Sequence, residues 1–167
     1  MRSFLVATAL AALTVPTLAA DLTPGAVRAM LTTQDATAVV QSLDSGDDEN
    51  NAWFAVLDHI AAGERGWIDL VPLLAPGTDA GTAESLTITL SRALRTNAPA
   101  VLRLLAEDHY SVADICLDND IEAAVSDVVA FLDDAVVAVA AVMDPALSQA
   151  RDACLFELGD ARISALI

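Results

Sequence analysis

The sequence predicts an all-α fold: an irregular bundle, or a short helical-repeat-like stack, of about seven to eight helices closed by one disulfide. Three observations predict it. Apolar residues return at three- and four-residue spacing along nearly the whole chain. Thr, Asp or Asn precedes most of these runs and Gly or Pro follows them, the punctuation of helix ends. No stretch of alternating apolar and polar residues rich in β-branched side chains interrupts the pattern. Thr87-Ile88-Thr89-Leu90 comes nearest, and it lies inside a helical period.

Residues 1–20 stand apart. Arg2 gives a positive start, Phe4 to Leu13 an apolar core, and Pro16 a break. Thr17-Leu18-Ala19-Ala20 then offers small residues to a signal peptidase. This is the layout of a bacterial secretory leader, with cleavage expected after Ala20. The apolar run is shorter than the ~20 residues of a membrane span. Residues 21–167 are then one mature helical domain, expected in the periplasm or outside the cell, with no membrane association once the leader is gone.

Each later element has its own signal. Thr23 caps a first helix and Pro24 occupies its first turn, where a missing N–H leaves no bond unmade. Val27, Met30 and Leu31 share its face. Asp35 caps a second helix carrying Ala36, Val39, Val40 and Leu43, and Gly46 stops it. The polar run from Asp44 to Asn51 reads as exposed loop. Asn51 caps a third helix, striped by Trp53, Val56, Leu57 and Ile60 and ended by Gly63. Trp67, Leu70, Val71 and Leu74 mark a fourth, in which Pro72 should impose a bend or mark the true start.

Pro76-Gly77 is a turn, and Asp79 or Thr82 caps a fifth helix with Leu86, Leu90, Ala93 and Leu94. Asn97 breaks it, and Pro99 opens a sixth with Val101, Leu104 and Leu105. Residues 109–120 read as irregular, with a short turn from Ser111 to Leu117. Asp118 or Asn119 is expected to cap the longest helix, striped by Ile121, Val125, Val128, Leu132, Val136, Val139 and Met143. Asp144-Pro145 leads into a last helix with Leu147, Ala150, Cys154 and Leu158 in line. Gly159 should end it, leaving Ile163, Leu166 and Ile167 as an apolar tail. Trp53 and Trp67, on adjacent helices, are expected to face each other in the core.

Charge narrows the partners. The chain has 8 basic and 24 acidic side chains and a formal net charge of -16. Loss of the leader removes Arg2, its one charge, so -16 becomes -17. There is no lysine. Such a surface attracts cationic partners and keeps the chain soluble, although a saline habitat or codon bias produces the same composition. Nucleic acid needs basic surface and is a poor partner.

Catalytic signatures are sparse. Without Lys there is neither a P-loop nor Schiff-base chemistry, and no Gly-x-Ser-x-Gly elbow occurs. His59 and His109 read as a helix-surface residue and a helix C-terminal residue. Asp118-Asn119-Asp120-Ile121-Glu122 is rich in oxygen ligands, but an EF-hand needs Gly and Glu where Ala123 and Val129 stand. Asp47-Asp48-Glu49 fails the same test. No catalytic residue, metal or cofactor is expected. Cys116 and Cys154, the two cysteines, are expected to form a bridge, as an even count in an exported chain suggests.

The expected role is contact: an exported, acidic, helical protein that engages a protein partner, a basic one. Its candidate contact residues are Asp47, Asp48, Glu49, Asp79, Glu84, Asp118, Asp120 and Glu122. Two alternatives stand beside it. One is a helical-repeat-like structural adaptor, whose mark is a long apolar groove along the helices. The other is a small carboxylate-based periplasmic hydrolase or lyase using Asp79 with Glu84, or Asp108 with His109. Nothing in the sequence sets an oligomeric state.

Overall fold

A computed structural model of the chain describes residues 22–46, 51–118 and 123–166. The expected leader, the acids Asp47, Asp48, Glu49, Asp120 and Glu122, and Asn119, Ile121 and Ile167 lie outside the described residues. Among the described residues the elements are all helical, with no strand.

The amino-terminal helices are α1 (Pro24–Leu31), α2 (Ala36–Leu43) and α3 (Ala52–Ala61). Each starts at its expected cap. Thr23 accepts from the Ala26 N–H at 3.1 Å, Asp35 from Ala38 at 2.9 Å and Asn51 from Trp53 at 2.9 Å. These bonds satisfy backbone donors that have no partner inside the helix. Gly63, at φ 79°, ends α3. Its N–H reaches the Ile60 carbonyl and the Glu64 N–H reaches that of His59, the paired bonds of a Schellman turn.

Pro72 divides the expected fourth helix into α4 (Arg65–Ile68) and α5 (Val71–Leu74). It has no N–H to offer the Ile68 carbonyl, so one continuous helix is not available. A 3-10 turn, Ala75–Gly77, follows. A Cβ on Gly77 would land on the backbone of Ala36 and Thr37, so only glycine lets this turn seat on the start of α2.

The spine of the molecule is α6 (Ala80–Ala106). Its start is a capping box. The Thr82 N–H donates to the Asp79 carboxylate at 2.9 Å, and the Asp79 N–H donates back to the Thr82 hydroxyl at 2.9 Å. The expected break at Asn97 is a kink, with φ -152° and ψ 62°. The Asn97 side-chain oxygen accepts from the Ala100 N–H at 3.3 Å and so restarts the helix beyond it. Its amide donates to the Gly63 carbonyl at 2.7 Å, and Thr96 donates to the Ala61 carbonyl at 3.0 Å. The kink therefore caps the end of α3. Asp108, at φ 57°, closes α6 in a second Schellman turn, a conformation that Asp tolerates.

Beyond it lie α7 (Val112–Ile115), α8 (Val125–Ala140), a 3-10 turn (Pro145–Leu147) and α9 (Ser148–Ser164). Helices α3 and α8 both pack on α6, while α9 lies against α8, α7 and α6. Arg162 of α9 reaches Asp133 of α8, and Arg151 donates to the Val142 carbonyl at 3.0 Å. Early residues of one helix thus meet late residues of the other, and the pair is antiparallel. The Cys116–Cys154 disulfide, with Cα atoms 5.3 Å apart, ties α7 to α9 at a fully buried position. The buried Ser91 hydroxyl donates to the neighbouring Leu117 carbonyl and pins the same segment to α6.

Four expectations are corrected. The longest helix is α6, because Asn97 kinks it without separating its halves; α8 has 16 residues. No side-chain cap starts α8, because Ala124, which has no polar side-chain group, stands at its N-cap. Of its expected stripe Leu132 and Val139 are buried, but the buried face also takes Phe131 and Ala135, with Val142 beyond, whereas Val125 is 60% exposed and Met143 80%. Helix α8 is apolar on several faces, so the packing of α6 and α9 chooses which is buried. Finally, α9 runs through Gly159 to Ser164: this glycine takes no positive φ, and nothing lies within 4 Å of where its Cβ would be.

Two stability outcomes follow from these joints. Asn97→Ala removes the internal cap and the bond to Gly63 together, and should cost about 2 kcal/mol with an unchanged urea m value. The double variant Cys116→Ser/Cys154→Ser opens a 38-residue loop. It should cost about 4 kcal/mol, read from the urea midpoint of the oxidised protein against the variant.

Candidate functional site

Helical spacing puts Ser85, Ile88, Arg92 and Arg95 along one side of the first half of α6, away from the buried Leu86, Leu90 and Leu94. Three surface hollows follow that side. The first, about 370 Å³, lies between α3 and α6 and is lined by Phe54, Leu57, Asp58, Ile88 and Arg92. The second, about 180 Å³, is lined by Arg92, Arg95, Asp118, Asp127 and Phe131. The third, about 380 Å³, lies at the kink, between Arg95, Pro99, Ala138, Val142, Met143 and Asp144. Neighbouring hollows share Arg92 and then Arg95. They lie in a row along α6, an interrupted trough with mostly apolar side chains in its two end hollows and charged ones at its waist.

Each part has a local cause. Phe54 points outward, 46% exposed, because the cap at Asn51 fixes the phase of α3 with Trp53 and Leu57 inside. The Arg95 guanidinium sits 4.8 Å from the centre of the Phe131 ring, a cation–π contact that joins α6 to α8 across the waist. At the far end Pro99 and the exposed Met143 line the same hollow. A separate hollow of about 300 Å³ lies where the end of α6 meets α7 and α9, lined by Leu105, Asp108, Val112 and Ala150.

The expected contact acids do not gather in one place. The Asp79 carboxylate is held in the α6 cap, where the Thr82 N–H and hydroxyl lower its pKa below the ordinary carboxylate value. Glu84 is exposed one turn further on. Asp118 lines the waist of the trough. Asp47, Asp48, Glu49, Asp120 and Glu122 lie outside the described residues. Sequence reasoning missed Phe54, Asp58, Arg92, Arg95 and Met143. The one available signal was Phe54 beside the buried Trp53, a large apolar residue off the stripe of α3.

The two histidines have structural partners. The His59 ring stacks on the buried Trp67, with centroids 5.0 Å apart, and its Nδ1 lies 2.7 Å from Glu64. That stack, rather than a Trp53–Trp67 contact, is the ring packing at the α3–α4 corner. His109 faces Glu107 at 3.4 Å, not Asp108. Asp133 pairs with Arg162, whose hydrogen bond draws its pKa below the usual range. Among the described residues no three His, Cys, Asp or Glu side chains gather as a metal site. No described helix is long and apolar enough to cross a membrane.

No family model matches the chain, and neither a curated protein nor a solved structure matches it.

The cap has a pH signature. The folded pKa of Asp79 lies below its unfolded value, so its stabilisation is present above the unfolded pKa. It is lost as pH falls through the folded pKa. Asp79→Ala should therefore be less stable than the parent at neutral pH. The gap should narrow below the carboxylate range, as read from urea midpoints at stepped pH.

Proposed function

We propose that this is an exported protein that works by contact, holding a basic protein partner on its acidic helical surface. The trough along α6 is the observation that carries the reading. Exposed large apolar side chains in a concave surface mark interaction sites, whereas scattered ones do not. Here Phe54 lines the first and Met143 the third of three neighbouring hollows on a chain of net charge -16. The apolar ends supply affinity, and the surrounding anions supply attraction and selectivity for cations. The leader-like residues 1–20 and the buried disulfide support an oxidising destination, because such bonds persist outside the cytosol.

The groove also favours a second reading, the structural adaptor. An adaptor would hold two partners at once, so a ternary complex on gel filtration separates the two readings.

The protein carrying a C-terminal tag, expressed from its full gene, should be recovered from the periplasm or medium with its N-terminus at Asp21. A basic partner should stay with it at about 50 mM salt and leave at about 500 mM, where the Debye length falls from roughly 14 Å to roughly 4 Å. Phe54→Asp, at an exposed position, should abolish capture while leaving the fold intact by circular dichroism. Recovery from the cytosol with both thiols free, or capture indifferent to Phe54, would sink this reading.

A further inference from the structure

We propose that Met143 is a site of selective oxidation: hydrogen peroxide converts its thioether to the sulfoxide while the fold stands, and the hollow at the kink changes from an apolar surface to a polar one.

The backbone holds this side chain outside. Met143 lies between α8 and the 3-10 turn that precedes α9. On one side Val142 is buried; its N–H donates to the Val139 carbonyl at 3.1 Å and its carbonyl accepts from Arg151 at 3.0 Å. On the other side the Asp144 carboxylate accepts from the Ala146 N–H at 2.9 Å, and the Asp144 carbonyl accepts from the Leu147 N–H at 3.0 Å. With both neighbours fixed, Met143 cannot turn inward. It is the most exposed large apolar side chain among the described residues.

The other oxidisable groups are shielded. Met30, on α1, packs against the core. Trp53 and Trp67 are buried, and Tyr110 is half-buried. Cys116 and Cys154 are already oxidised, in a buried disulfide. Met1 lies outside the described residues. Among the described residues, a peroxide arriving from solvent meets the sulfur of Met143 first.

The chemistry needs only the peroxide. A lone pair of the thioether sulfur attacks one peroxide oxygen, the O–O bond breaks and an S–O bond forms. The second oxygen leaves as hydroxide, takes the proton of the first and departs as water. Sulfur is oxidised and the peroxide reduced. The product is a polar side chain with a strong acceptor oxygen.

Position decides what that oxygen does. On Met30 it would place a polar group against the core, where a group without a partner costs stability. On Met143 it stays in water, so the fold bears no penalty. The change is confined to the hollow that Met143 lines with Pro99, Ala138 and Val142. Its consequence for a partner, a looser hold at that end, rests on the contact reading above. The oxidation itself does not.

The test treats the intact, disulfide-bonded protein with dilute hydrogen peroxide and follows its peptides by mass spectrometry. The Met143 peptide should gain one oxygen about tenfold faster than the Met30 peptide. In concentrated guanidinium the two rates should converge. Equal rates in the folded protein, or a difference that persists in guanidinium, would overturn the selectivity. Protein oxidised only at Met143 should keep its urea midpoint, and a lowered midpoint would overturn the claim that the fold stands.

On a phenyl hydrophobic-interaction column the oxidised protein should elute earlier than the untreated parent. Met143→Leu keeps an apolar side chain but has no sulfur, so peroxide should leave its elution unchanged. An equal shift in that variant puts the change elsewhere and overturns the proposal. If all these results hold while peroxide leaves partner capture unaltered, the oxidation site stands and the contact reading fails at this hollow.

Discussion

The Asn97 side chain holds together three parts of the molecule that local sequence would leave separate. Its oxygen caps the second half of α6 through Ala100. Its amide nitrogen binds the Gly63 carbonyl, beyond the end of α3. Its backbone leaves the helical region and turns the spine. Close contact reinforces the joint, since a Cβ on Gly63 would lie 2.7 Å from the Thr96 hydroxyl. Because α3 packs on one half of α6 and α8 extends to the other, the angle at Asn97 sets how the two groups of helices meet.

Val142 and Met143 line a hollow with Pro99 beyond the kink, while Phe54 and Leu57 line one with Ile88 before it. The waist is then closed by Arg95 on Phe131. Affinity and orientation at such a surface come from few anchors, and the rest of the lining excludes water and mismatched charge.

Polar groups elsewhere are mostly committed to holding the frame. Asp79 and Thr82 bind each other across the first turn of α6. His59 lies between Trp67 and Glu64, and Ser91 secures the disulfide segment through Leu117. A protein with 24 acids can appear rich in reactive groups.

Helix starts and stops were legible in the sequence because they are local. Thr23, Asp35, Asn51 and Asp79 cap as their positions predict, Pro72 splits its helix, and Cys116 pairs with Cys154. The backbone donors that these side chains satisfy lie two or three residues away, so no distant contact is needed to predict them. Burial of α8 was legible only in part: Leu132 and Val139 are buried as the stripe predicts, whereas Val125 and Met143 are exposed. Its valines and alanines surround the helix, and periodicity cannot choose among several apolar faces. Only the packing of α6 and α9 buries Phe131 and Ala135 and leaves Met143 outside. The extent of α9 was not legible either, since Gly159 ends a helix only where the chain must take a positive φ, and here it does not. The trough belongs wholly to the tertiary structure. It gathers Phe54, Arg92 and Phe131 from three helices and Met143 from the segment after α8, and no spacing along the chain records which side of each helix its neighbours leave uncovered.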